Sequence, residues 1–264
     1  MLNDIVDVLA DPADLTPLRG EDDFSRLVSE SGHSYDVAKQ GYVTLAAGKG
    51  IGHEGDSLEM VNSRETFLSN GHFAPFVEAV SDALADVVER AAGDTEHPVI
   101  MEAGAGTGYY LAHTLDLIAG ARGVGLDVSV PAAKHLAKSH PRVGAVVADV
   151  WEQLPIRTGS VHALAVVFAP RNPAELREPL GILGVEEGKV ERLIAQSEGH
   201  LVPAADPELI EFPMLLERDA IAAQVGMSPS ARHLDSGTLQ ARLAELPEQM
   251  RVTARAQLIR MRKA

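Results

Sequence analysis

The chain has 264 residues, 45% of them hydrophobic and only 4% aromatic, so one large domain, or one domain with a small appendage, is expected around a core of Ala, Val, Leu and Ile. It has no cysteine, which excludes disulfides, thiolate zinc sites and cysteine nucleophiles, and no apolar run approaches the roughly 20 residues that span a bilayer, so no membrane partner is expected. Lys+Arg of 23 against Asp+Glu of 38 gives a net charge of −15, a solvated acidic surface that repels polyanions as a whole; an RNA role then requires a local basic patch, for which Arg251, Arg255, Arg260, Arg262 and Lys263 are the candidates.

The first ten residues carry Asp4 and Asp7 and no basic stretch, so no secretory leader is expected and the setting is cytoplasmic. The spacing predicts a short apolar helix over Leu2–Leu9, turns at Asp11–Asp14 and at Gly32-His33, and a short strand over Tyr42–Leu45. Residues 1–45 are too few to hold a core alone and must lean on the remainder of the chain. After a glycine-rich stretch, Gly48–Gly55, Asp56 reads as an N-cap with Glu59 three residues on. Met60, Phe67 and Leu68 fall on one helical stripe, and a second helix over Phe73–Ala92 comes after a stop at Gly71-His72, completing a helical lead-in over 56–92.

From Pro98 short apolar runs alternate with helices. Strands are predicted at Val99–Met101, Gly123–Leu126, Val143–Ala148 and Ala163–Phe168, with helices at Tyr110–Ile118 and Pro131–Ser139 between them. This alternation implies an α/β fold, a doubly wound parallel sheet with helices on both faces. Late antiparallel strands are predicted at Phe212–Leu216 and Val252–Met261, with helices at Asp219–Val225 and Thr238–Leu246.

The strongest chemical signal is the run from Glu102 through Gly104, Ala105, Gly106 and Gly108, directly after a buried strand and opening a helix. A dinucleotide fold uses GxGxxG so that the helix N-terminus faces a pyrophosphate. Here the run is GxGxG with an acid two residues ahead, the form suited to S-adenosylmethionine (SAM), which has no phosphate to cradle. Asp127 ends the next strand, where a carboxylate accepts hydrogen bonds from both ribose hydroxyls, and Asp149 ends the third, where it meets the adenine amino group beside Val150, with Trp151 and Leu154 flanking the ring. Strand, glycine turn and two acids in register point to a Rossmann-like class I SAM-dependent methyltransferase domain over 46–264.

Beyond this scaffold, several strings resemble the 23S ribosomal RNA (guanine-N1) methyltransferases, including the tylosin- and mycinamicin-resistance enzymes of actinobacteria. They are Gly32–Val43, Asp56–Met60, Arg64–Leu68, Gly71–Pro75, Ala148–Trp151 with Leu154-Pro155, Phe168–Pro173 and Met227–Pro229. The resemblance implies methyl transfer from SAM to N1 of a guanine in large-subunit ribosomal RNA, a homodimer, and antibiotic resistance as a context. It also implies a small N-terminal zinc ribbon whose ligand positions fall here on Asp11, Asp14, Ser29 and His33. Two carboxylates, a hydroxyl and one imidazole lack the thiolates structural zinc favours, so a degenerate, metal-free ribbon-like segment is expected. The family's cofactor-touching Tyr is Phe73 here. After Leu176 the family has a helix, a Pro-Gly-Gly turn, a fifth strand and a cofactor-contacting His; about 20 residues of that unit are absent before Arg177.

By resemblance Arg64, His72 and Ser228 border the target pocket, and Arg171 and Asn172 stand at the carboxyl end of the fourth strand, where a substrate sits in an open α/β sheet. No dyad nominates a catalytic base, and the other nine histidines show no ligand spacing. Two alternatives stand beside RNA methylation: a SAM-dependent small-molecule methyltransferase, motivated by the acidic surface, and a non-catalytic SAM-binding protein.

Overall fold

The computed structural model describes residues 2–46, 51–93, 95–169, 195, 201–228 and 236–263. Its centre is a parallel five-stranded sheet, built from β4 (Tyr42–Thr44), β5 (Val99–Ala103), β6 (Arg122–Asp127), β7 (Val143–Val147) and β8 (Ala163–Ala165), in the order β4-β7-β6-β5-β8. The three middle strands are almost wholly buried, which is why they read as unbroken apolar runs rather than alternating ones. Three other strands, β1 (Leu18–Glu21), β2 (Arg26–Ser29) and β3 (Ser34–Asp36), form a separate antiparallel sheet.

The two faces of the parallel sheet are covered differently. One carries α2 (Ala74–Ala91), α3 (Tyr109–Leu117) and α4 (Val130–Ser139), whose Leu84, Leu111, Leu115 and Leu136 pack on Ile100, Val143 and Ala145. Gly123 and Gly125 point to this face, and a Cβ on either would run into Leu115 or Leu136 within 2.8 Å, so the glycines let α3 and α4 approach the sheet closely. The other face was expected to carry helices. Among the described residues it is covered by the N-terminal segment: Leu2, Ile5, Val8, Leu9, Leu18 and Leu27 pack on Met101, Val124, Leu126 and Val146. The predicted helix over Leu2–Leu9 is two 3-10 turns, Leu2–Asp4 and Val6–Val8, and Ile5, Val8 and Leu9 pack against the sheet.

The lead-in helix α1 (Leu58–Ser69) is capped by Ser57, whose hydroxyl accepts the Met60 N–H at 3.3 Å, one residue later than the sequence suggests. The Asp56 carboxylate is drawn instead to the Arg64 guanidinium. Beyond β8 lie β9 (Leu201–Pro203), β10 (Glu208–Glu217), α5 (Arg218–Gly226), α6 (Ser236–Glu245), β11 (Gln249–Leu258) and β12 (Met261–Lys263). The strands predicted over Phe212–Leu216 and Val252–Met261 are present as β10 and β11, a ten-residue antiparallel pair, with β12 paired to β9. One side of this pair buries Met214, Leu216 and Ala254 against α1, α2, α5 and α6. The expected gap between Leu176 and Arg177 lies outside the described residues.

The N-terminal segment docks through one close approach. A Cβ on Gly144 of β7 would sit 2.3 Å from Ile5 Cγ1, so Gly144→Ala is expected to cost about 1–3 kcal/mol of folding free energy by overpacking. Urea denaturation of the variant measures this, and a midpoint equal to that of the unmodified protein contradicts the docking.

Candidate active site

The glycine turn forms because the chain must reverse between the carboxyl end of β5 and the start of α3. Gly104, Gly106 and Gly108 all have positive φ, of 71°, 55° and 81°, a region L side chains rarely enter. The turn is pinned to the next strand: Gly104 and Ala105 N–H donate to the Leu126 carbonyl at 2.8 and 2.9 Å, and Gly106 N–H donates to Asp127 Oδ2 at 2.7 Å. Asp127 Oδ1 accepts the Ser129 N–H at 2.8 Å. Burial raises the Asp127 pKa, and these two N–H groups only partly offset it.

Glu102 lies beneath the turn, 2% exposed, and its Oε2 accepts the Leu111 N–H at 3.1 Å. Burial first, then the nearby Asp127 charge, pushes its carboxyl up to about 8, against the lowering effect of the Leu111 N–H. At neutral pH this side chain is a protonated acid, and a cation placed beside it favours its ionisation. Asp149, 6% exposed, comes just after β7. Its Oδ1 accepts the Trp151 N–H at 3.0 Å and its Oδ2 meets His53 Nδ1 at 2.6 Å. Burial raises its pKa, but the hydrogen bonds from His53 and Trp151 outweigh burial and the net shift is downward. Val150 beside it packs on the sheet core, as does Leu154, and Trp151 is exposed.

The structure therefore gathers Glu102, Gly104, Ala105, Gly106, Gly108, Asp127 and Asp149 at the carboxyl ends of three adjacent parallel strands, the position where open α/β sheets bind ligands. The turn is a cradle that side chains would fill. Thr107 Oγ1, Tyr110 OH and Arg64 Nε are buried there without hydrogen-bond partners, leaving polar capacity for a zwitterionic ligand or its waters. These features fit SAM: a glycine turn for its methionyl part, Asp127 for the ribose and Asp149 for the adenine.

The other expected residues are more scattered. Arg64 lies against the turn itself, its Cδ 3.4 Å from where a Cβ on Gly106 would stand, and it donates to the Met227 carbonyl at 3.2 Å. Phe73, 9% exposed, is the N-cap residue of α2 and packs edge-on against Phe67 and Phe76. It also lies 5.8 Å from the Phe168 ring, which leaves the strand with a φ of 48° and shortens β8 relative to the run predicted from sequence. His72 is half-buried, its ring 4.9 Å from Phe67. The Ser228 hydroxyl donates to the Val225 carbonyl at 2.9 Å, closing the end of α5. Arg171 and Asn172 lie outside the described residues. Of the C-terminal basic residues, Arg255 and Arg260 are paired with Glu211 and Glu208 on β10, which thins the expected patch.

Asp11, Asp14, Ser29 and His33 do converge, on one side of the β1–β3 sheet. Ligand atoms of Asp11, Asp14 and His33 lie within 4.8 Å of one another. Several of their atoms already have hydrogen-bond partners. Asp11 accepts the Ala13 N–H and the Tyr35 hydroxyl, each at 2.8 Å, and its second oxygen meets His33 Nδ1 at 2.7 Å. Ser29 Oγ accepts the His33 N–H at 3.0 Å, and Asp14 accepts the Thr16 hydroxyl at 2.7 Å. With one imidazole, no thiolate and a carboxylate saturated by internal donors, this set does not fit a structural zinc ion.

With the geometry established, the relatives are decisive. A protein of Micromonospora griseorubida named 23S rRNA (guanine-N(1)-)-methyltransferase is 39% identical over 263 aligned positions, covering 88% of each chain. The 23S rRNA (guanine(748)-N(1))-methyltransferase of Streptomyces fradiae is 36% identical over 270 positions, covering 94% of each. The chain belongs to the 23S rRNA (guanine-N1) methyltransferase family. No protein-family model matches it. Among solved structures, a SAM-dependent methyltransferase of Thiobacillus denitrificans in complex with S-adenosyl-L-homocysteine is 15% identical, with a TM-score of 0.33 over 68% of this chain and 91% of that one.

Sequence reasoning did not find His53, which sits among glycines with no periodicity to mark it. It also gave no reason to place Arg64 against the glycine turn rather than at the target.

Glu102 yields a pH prediction. Its unfolded carboxyl titrates near 4.5 and its folded one near 8, so between these values the folded state holds the extra proton. The stability it contributes is complete below about pH 4.5 and is lost as pH rises through about 8. The thermal midpoint is expected to fall across that window and to fall less in Glu102→Gln, with a residual slope from Asp127, which shifts in the same direction. Parallel pH profiles for the two proteins would contradict the assignment.

Proposed function

We propose that this chain transfers the methyl group of SAM to N1 of a guanine in 23S ribosomal RNA. The observation that carries the reading is the array of Glu102, the glycine turn, Asp127 and Asp149 at the tips of adjacent parallel strands, in a chain that keeps 36–39% identity with its relatives over most of their length. Methyl transfer from a sulfonium is an in-line displacement in which the protein mainly aligns nucleophile, methyl and leaving sulfur. Bound SAM supplies the methyl group and the sulfur leaving group. This chain's residues hold its ends: Asp127 at the ribose, Asp149 and Val150 at the adenine, and Arg64, Phe73 and the turn near the methionyl part. Guanine N1 must lose its proton to a base or to water. Arg171, Asn172, His72 and Ser228 are the target-side candidates.

N1-methylguanine blocks the pairing edge, so reverse transcriptase stops one nucleotide before it. Primer extension on 23S rRNA from cells with and without the gene is expected to show one added stop, absent with Asp127→Ala. Identical stops in both strains overturn the proposal. A cytoplasmic homodimer, and macrolide resistance as its physiological setting, extend the reading. What supports the first is that no helix among the described residues is long and apolar enough to cross a membrane, and the resemblance supports the rest.

A second reading has its own support. The net charge of −15 and the neutralised arginines beside β10 favour a small-molecule methyl acceptor on a scaffold that has lost RNA recognition. RNA binding that falls steeply with salt argues for the first reading, since it reports phosphate contacts; salt-insensitive, weak RNA binding with turnover of a metabolite argues for the second.

Residues 1–45 are read as a ribbon-like segment that has exchanged its metal for hydrogen bonds. A chelator is expected to leave the melting temperature unchanged, while Asp11→Asn, which disrupts the buried acceptor of three donors, lowers stability by about 1–3 kcal/mol. Stoichiometric zinc in the purified protein, lost on chelation with unfolding, overturns this.

A further inference from the structure

We propose that His53 is a positioning residue for the purine end of the cofactor, acting through Asp149 to favour a 6-amino purine over a 6-oxo one. The inference rests on the reading of Asp149 as the adenine contact. Residues 51–57 form neither helix nor strand, yet they are tied down at successive points along the line an adenosine would occupy. At one end His53 Nδ1 lies 2.6 Å from Asp149 Oδ2. Two residues on, Gly55 lies against the turn after β6: a Cβ there would stand 2.6 Å from Ser129 N and Cα. The Ser129 hydroxyl donates to the Asp56 carbonyl at 2.7 Å, and Ser129 N–H is held by Asp127. The Asp56 carboxylate in turn accepts from Arg64, which lies over the glycine turn. The segment thus runs from the adenine acid to the ribose acid and on to the methionyl end.

The chemistry at the adenine end is specific. Asp149 has a side chain only 4% exposed, where burial alone would favour the neutral carboxyl. A protonated carboxyl would offer one lone pair fewer to the purine and present a proton at its edge. The His53 Nδ1–H and the Trp151 N–H each occupy one lone pair of a different carboxylate oxygen and keep the group ionised, leaving acceptor sites free for an exocyclic amine. A 6-oxo group at the same position meets a carboxylate it cannot donate to. His53 is itself half-exposed, so replacing it removes the donor without opening the core.

The test compares S-adenosylhomocysteine with S-inosylhomocysteine, which differ at the 6 position, by calorimetric titration into the full chain and into His53→Ala and His53→Gln. The unmodified protein is expected to prefer the adenosyl ligand. His53→Ala is expected to lose about tenfold in affinity for it, the effect of one hydrogen bond to a charged group, with little change for the inosyl ligand, so that the preference collapses. His53→Gln, which keeps a donor, restores part of it. Equal losses for both ligands mean that the substitution merely loosens the segment, and unchanged or tighter adenosyl binding means that His53 is idle or a competitor; either overturns the proposal. Unmodified protein that binds neither ligand removes the cofactor reading itself, and the proposal with it, a result distinct from both.

Discussion

A carboxylate at the tip of β6 shapes the rest of the site. Asp127 accepts N–H groups from Gly106 in one turn and Ser129 in the next, so a single buried group fixes both the cofactor turn and the entry to α4. Because these donors do not fully offset its burial, its ionised form is held at a cost. Glu102 beside it is pushed up chiefly by its own burial, with the Asp127 charge adding to the shift. Two acids so close cannot both ionise cheaply, and their joint preference for a nearby positive charge is what a sulfonium with an ammonium group supplies. Asp149, in contrast, is kept ionised by His53 and Trp151. The cleft thus has one end where burial favours neutral acids and another where an ionised carboxylate is held by His53 and Trp151.

The N-terminal segment carries a load that its size conceals. It covers the sheet face opposite α2–α4 and contributes β4, paired in parallel with β7 from Tyr42 to Thr44. Its far end is knotted by hydrogen bonds around Asp11, a buried carboxylate that meets three donors, of which Tyr35 and His33 are ordered by β3 and the turn before it.

How legible each element was in the sequence depends on how much periodic or chemical signal it carries. β5, β6 and β7 are short runs buried on both faces, ending in or near acids, so their existence and parallel pairing could be read directly, while their order in the sheet could not. β1–β3 could not: strands of three or four residues with mixed burial give too little alternation to register. Their first turn also places Asp22, Asp23 and Phe24 at positive φ, a conformation no sequence rule assigns to phenylalanine. It is held because the Phe24 ring covers Gly20, where a Cβ would lie 2.5 Å from it. The acids at the tips of β6 and β7 were legible as residues because they follow buried strands. His53 was not, because it lies in a segment without periodicity and meets Asp149 across 96 residues of sequence.

Among the described residues, the later part of the chain is joined to the parallel sheet by side chains rather than by a shared ladder. β8 pairs with β5 over only Ile100–Glu102, and on the face away from the helices its Leu164 is 51% exposed. A strand central to a doubly covered sheet would hide that side chain, so among the described residues the parallel sheet ends there. β10 and β11 do not extend it. They form their own ladder of ten pairs and bury one side against helices, through Phe212, Met214, Leu216, Val252 and Ala254. Phe76 of α2 lies 4.8 Å from Phe212 and 5.6 Å from Phe168, so one helix joins the hairpin to the end of β8 through aromatic rings rather than through backbone pairing.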